Sequence, residues 1–184
     1  MKLKIITTPS PLLRQKSRPI LKIDKKVKQL AQEMLNLLKG SQKNEPIGVG
    51  LSAVQMGRPI CLLVAYDKED DRYLTILNPC FIKKSKKMTR GLTKENGRYE
   101  GCLSVPGYYG LVKRHQSVEV AYQDLGGQKQ SRVFADYLGT IIQHEMDHLD
   151  GILFTDRVLA QKQRLYQLTK EIESKITLTK AKAL

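Results

Sequence analysis

Cysteine and histidine are both scarce in this chain, three of each among 184 residues. Cys61, Cys80 and Cys102 are an odd set without framework spacing, which excludes a disulfide-stapled secreted scaffold and fits a reducing compartment. Long apolar runs are lacking as well. Met1 to Ile20 is broken by Pro9, Pro11 and Pro19 and offers neither a signal-peptide core nor a membrane span. The expected setting is the cytoplasm, with no membrane partner. There is no repeat of solenoid length and no linker between two cores, so residues 1–184 are expected to form a single domain. Acidic residues are outnumbered, 18 against 32 basic ones, and the net charge of +14 attracts polyanions such as RNA. The same excess of lysine serves solubility, so charge alone does not identify a function.

What is present is a globular mixture, 41% hydrophobic and 27% charged, which excludes a disordered class. Asp24 can cap a helix whose apolar positions Val27, Leu30, Ala31, Met34, Leu37 and Leu38 share one face before Gly40. Ser41 to Pro46 reads as a loop, Pro59 to Tyr66 and Leu74 to Asn78 as strands, and Lys83 to Arg98 as a basic loop. Ser117 to Tyr122 and Ser131 to Ala135 predict a hairpin turning at Gly126-Gly127. Asp136 can cap a second helix, apolar through Leu138, Ile141, Ile142 and Leu149, that stops at Gly151. From about Asp156, Leu165, Leu168, Ile172 and Ile176 recur at three- and four-residue spacings among Lys and Arg, which predicts a basic amphipathic helix. The expected class is α+β, with antiparallel or mixed sheets packed around a central helix and a helix closing the chain.

The chemistry concentrates in His144-Glu145-Met146-Asp147-His148. Four residues are about one helical turn, so both imidazoles lie on one face and can converge on a metal ion. A charged Glu145 on an apolar core helix is costly to bury unless it is paired or serves a site. A catalytic ion takes a third protein ligand, and the residues leave three choices open. His115, read alone, is more often a surface residue; Glu171 and Glu173 stand where a thermolysin-like peptidase has its glutamate; Cys102 lies in an irregular segment between Gly101 and Pro106.

Three segments taken together resemble the peptide deformylase family in residues, order and separation. They are Gly48-Val49-Gly50-Leu51-Ser52-Ala53-Val54-Gln55, Glu100-Gly101-Cys102-Leu103-Ser104 and Gln143-His144-Glu145-Met146-Asp147-His148-Leu149. Pro11-Leu12-Leu13-Arg14 also resembles the family, so the likeness runs from near the start to about Phe154.

The resemblance implies that Cys102, His144 and His148 hold one divalent ion, Fe²⁺ in the cell, with Zn²⁺, Ni²⁺ or Co²⁺ able to substitute. It implies hydrolysis of the formyl group from N-formylmethionyl nascent peptides, with Glu145 as general base turned acid. Gln55, through its side-chain amide, and Leu103, through its backbone N–H, would stabilise the oxyanion. Gly48 and Gly50 would let backbone pair with an extended peptide, Val49, Tyr137, Thr140 and Ile141 would line the methionine pocket, and Arg114 would contact the substrate backbone. Ser52 departs from the family's usual alanine, and the Thr140 hydroxyl departs from an apolar pocket unless it bonds back to a helix carbonyl. A monomer is expected, with the basic C-terminal helix, residues 157–184, meeting the ribosome. A thermolysin-like zinc peptidase and a non-catalytic RNA-binding protein are the alternatives.

Overall fold

The computed structural model describes residues 4–44, 48–89, 99–172 and 175–180, without the side chains of 41–44 or of those beyond 167. Helix α1 (Lys25–Asn44) starts as expected, with the Val27 N–H donating to Asp24 Oδ1 at 3.0 Å. It does not stop at Gly40 but runs on to Asn44. An internal glycine costs a helix about 1 kcal/mol relative to alanine. Full burial of a large aliphatic side chain returns about 1.5–3 kcal/mol, and α1 buries both Met34 and Leu38.

Two antiparallel sheets follow. The first has the strand order β1 (Gly50–Ser52), β2 (Leu62–Asp67), β3 (Arg72–Lys84), β6 (Ser117–Gln123) and β7 (Lys129–Ala135). The second has the order β4 (Glu100–Cys102), β5 (Val105–Gly110), β8 (Leu165–Ile172) and β9 (Lys175–Lys180). The predicted strands and the hairpin at Gly127, φ +84°, are present. The basic loop expected from Lys83 starts later, because β3 extends to Lys84; residues 90–98 of that expectation lie outside the described residues.

Strand β2 is apolar without alternation because both of its faces are covered. Leu62 and Val64 join the core beneath α1, whereas Leu63 and Ala65 join a second core with Ile142 and Met146 of helix α2 (Asp136–Leu149). Helix α2 is thus the central helix. A third core, with Leu13, Val105, Leu153, Phe154 and Val158, ties helix α3 (Phe154–Ala160) to β5.

The C-terminal helix is a correction. Among the described residues only α3 is helical there; the chain then forms the β8–β9 hairpin, and β8 pairs with β5 through Gly110↔Leu165 and Tyr108↔Gln167. Strand β5 has an edge left unpaired by β4, and β8 satisfies its backbone groups. Tyr166 adds a ring contact with Tyr99, centroids 5.1 Å apart. The local signal was the alternation Ile176-Thr177-Leu178-Thr179, which has the period of a strand. Among the described residues no helix is long and apolar enough to cross a membrane.

Candidate metal centre and active site

Helix α2 carries His144, Glu145 and His148 through the middle of the molecule, all three buried. Its start differs from expectation. Asp136 does not cap it: the residue has φ +49°, its N–H donates to Gln116 O at 2.8 Å, and its Oδ1 accepts from Gln116 Nε2 at 3.2 Å. Its end is as expected. Gly151 has φ +72°, and a Cβ there would lie 2.4 Å from Arg14 O, so only glycine lets the chain turn against Arg14.

The geometry brings Cys102 to the two histidines. One donor atom from each of Cys102, His144 and His148 lies within 4.8 Å of the others, and Cys102 Sγ is 3.2 Å from His148 Nε2. Donor atoms about one tetrahedral ion stand roughly 3.3–3.8 Å apart, given metal–ligand bonds of about 2.0–2.3 Å, so this group fits a single ion. One thiolate with two imidazoles suits the borderline divalent metals. His115 is elsewhere, its Nδ1 2.7 Å from Ser85 O and its N–H donating to Gln143 Oε1.

Behind the donors runs a buried ionic chain. His144 Nδ1 is 3.0 Å from Glu100 Oε2, which directs Nε2 of the same ring away from the carboxylate. Arg114 donates to Glu100 from Nε at 2.6 Å and Nη2 at 2.8 Å, and to Asp147 from Nη1 at 2.8 Å. Arg157 donates twice more to Asp147. Glu100, Asp147 and Arg114 are buried, and the half-exposed Arg157 supplies the second guanidinium that balances the two carboxylates. Burial alone would raise the Glu100 carboxyl, yet the Arg114 charge and hydrogen bonds hold it down at about 2. Burial would lower His144, but hydrogen bonds with the Cys102 sulfur and Glu100 outweigh it and hold His144 well above its ordinary range. Burial, then the neighbouring charges of His144 and Arg114, pushes His148 well below its ordinary range.

Arg114 was expected against substrate. It is instead buried and committed to Glu100 and Asp147, behind the histidines, because a guanidinium with two carboxylates in reach satisfies its donors there. Glu100 and Asp147 were not singled out by the sequence reading, although both sit inside the segments that carry the resemblance.

Glu145 is buried, and burial raises its carboxyl above the ordinary range, more than the His144 charge and Ser52 hydrogen bond lower it. Ser52 Oγ lies 2.7 Å from Glu145 Oε2. Gln55 is buried beside it. The Ser52 N–H donates to Gln55 Oε1 at 2.8 Å, which leaves Gln55 Nε2 facing Ser104 Oγ at 3.1 Å and Cys102 Sγ at 3.5 Å. Leu103 follows Cys102 directly, and its Cδ1 would be 3.1 Å from a Cβ at Gly48. Val49, Tyr137 and Ile141 share the core cluster of α2, whereas the Thr140 hydroxyl turns back to Asp136 O at 3.0 Å. The hairpin at the C-terminus removes the helical spacing on which Glu171 was a ligand choice; Glu173 lies outside the described residues.

The polypeptide deformylase family model matches residues 2–164. A peptide deformylase of Rhodopirellula baltica is 41% identical over 161 residues, 86% of this chain and 74% of that protein. One from Wolinella succinogenes is 38% identical over 171 residues, 90% of this chain and 93% of that protein. Among solved structures, a peptide deformylase from Synechococcus elongatus in complex with actinonin superposes with a TM-score of 0.73 at 34% identity, covering 84% of this chain and 78% of that one. The peptide deformylase of Thermotoga maritima gives a TM-score of 0.74 at 26% identity, covering 85% and 97%.

Proposed function

The chain belongs to the polypeptide deformylase family, and on that premise we propose that it hydrolyses the N-formyl group of N-formylmethionyl nascent polypeptides, releasing formate and a free amino terminus. The observation that carries the reading is the meeting of a buried carboxylate, Glu145, with the Cys102, His144 and His148 donor group at one place.

In this reading Cys102, His144 and His148 hold one divalent ion, with Fe²⁺ the resident metal in the cell and Zn²⁺, Ni²⁺ or Co²⁺ as substitutes. When bound, the ion supplies Lewis acidity, polarising a water molecule and the formyl oxygen. Glu145 takes the proton of the attacking water and delivers it to the departing amine; its raised carboxyl suits both tasks. The side-chain amide of Gln55 and the backbone N–H of Leu103 donate to the oxyanion that develops on the formyl group. Gln55 reaches this role by exchanging its bond to Ser104 Oγ for one to substrate. Glu100 keeps the His144 ring oriented, and Arg114 keeps Glu100 ionised. Val49, Gly50, Tyr137, Thr140 and Ile141 receive the methionyl end of the peptide, Thr140 offering its methyl because its hydroxyl is bonded within the helix.

The enzyme acts as a single-domain monomer in the cytoplasm. Its contact with the ribosome is the basic C-terminal segment, in the form of a hairpin that follows Arg164 and carries Lys170, Lys175 and Lys180 in sequence. Neither a thermolysin-like peptidase nor an RNA-binding protein has a supporting observation.

The test is formate release from a formyl-Met tripeptide by protein purified without oxygen, beside Glu145→Gln, with the unformylated peptide as control. Formate released by wild type and lost in the variant supports the reading. Cleavage of internal peptide bonds without formate overturns it.

A further inference from the structure

Strand β1 places Gly50 and Ser52 two residues apart, on one side of the strand, and both meet Glu145. Gly50 contributes space, since a Cβ there would overlap the Glu145 carboxylate. Ser52 contributes a donor. Its Oγ is wholly buried, 2.7 Å from Glu145 Oε2 and 2.8 Å from the backbone oxygen of the same residue. The backbone N–H of Ser52 is already bonded to Gln55 Oε1, so the hydroxyl is the group of this residue directed at Glu145.

We infer that Ser52 is a positioning residue for the general base, its hydroxyl holding the Glu145 carboxylate in one orientation against the bare backbone of Gly50. The inference rests on the deformylase reading. A hydrogen bond to a charged acceptor is worth more than one between neutral groups, and the Ser52 side of this one is wholly buried. The bond need not break during turnover. Once Glu145 has taken a proton on its other carboxyl oxygen, Oε2 remains an acceptor for the Ser52 hydroxyl, and the proton stays free for delivery to the departing amine.

The experiment compares metal-loaded wild type, Ser52→Ala, Glu145→Gln and the double variant in formate release. Ser52→Ala is expected to lower kcat by roughly tenfold to a hundredfold, with KM within about twofold and metal content unchanged. Adding Ser52→Ala to Glu145→Gln should alter the residual rate by less than about twofold, since no carboxylate is left to hold. Unchanged kcat in Ser52→Ala, or equal losses in both backgrounds, overturns the positioning role and leaves the deformylase reading standing. No formate from metal-loaded wild type overturns both.

Discussion

Gly50 and Glu145 occupy complementary space: a Cβ built on Gly50 would stand 2.5 Å from Glu145 Oε1 and 2.8 Å from its Cγ. Gly50 cannot gain a side chain without Glu145 moving.

Gly50→Ala should therefore displace the Glu145 carboxylate rather than unfold the chain. The overlapping atoms belong to a side chain, which can rotate, and not to backbone. A fall in formate release of at least tenfold is expected, on the scale of a misplaced acid–base group. Steady-state kinetics beside a thermal midpoint would check it; a variant that melts early with normal turnover would refute this account.

Glu145→Gln keeps shape and hydrogen bonding but cannot take a proton. Its kcat should drop by about 10²–10⁴, the usual span for a general acid–base group. Metal analysis should find the same stoichiometry as wild type, because Glu145 is not one of the three grouped donors. Loss of metal in this variant would move Glu145 into the ligand set.

Chelation, or Cys102→Ser, should remove the ion and formate release together. A ligand bound only by the folded state stabilises it by about 2.7 kcal/mol at a hundred times its Kd. Re-adding Fe²⁺, Zn²⁺, Ni²⁺ or Co²⁺ to the apoprotein should raise the thermal midpoint, and the Cys102→Ser protein should respond far less. Equal shifts in the two proteins would count against a thiolate ligand.

Glu100 gives the acid limb of stability a sign. Burial favours its neutral form, but Arg114 prevails and the folded-state pKa is about 2, below the ordinary 4.5. A depressed pKa contributes stability that is complete above the ordinary value and is lost as pH falls towards the folded value. Denaturant midpoints should therefore decline between about pH 4.5 and about pH 2, and Glu100→Gln should flatten that decline. An identical acid slope in the variant would exclude Glu100 as its source.

Arg114→Met should destabilise by about 3–5 kcal/mol, since Glu100 and Asp147 would lose a buried counter-charge. Arg157 still reaches Asp147, so Glu100 is left the worse compensated. Urea unfolding measures the loss; a change under 1 kcal/mol would mean that water enters the site freely.

The local patterns of the sequence were sufficient for helix α2 and its histidine pair, because four-residue spacing on a helix is a property of the segment itself. Helix α1, strand β2 and the β6–β7 hairpin were legible for the same reason. Residue types alone left the third donor open among His115, Cys102 and two glutamates, and the likeness of whole segments narrowed it to Cys102. Tertiary structure decided what depends on distant partners. Cys102 reaches His148 across 46 positions of sequence. Arg114, read as a surface contact to substrate, became buried only because Glu100 and Asp147 converge on it from separate elements. The final segment carried both a helical spacing and a strand alternation, and the open edge of β5 resolved the choice, since unpaired backbone groups on a strand gain more from a neighbour than a short basic helix gains in water.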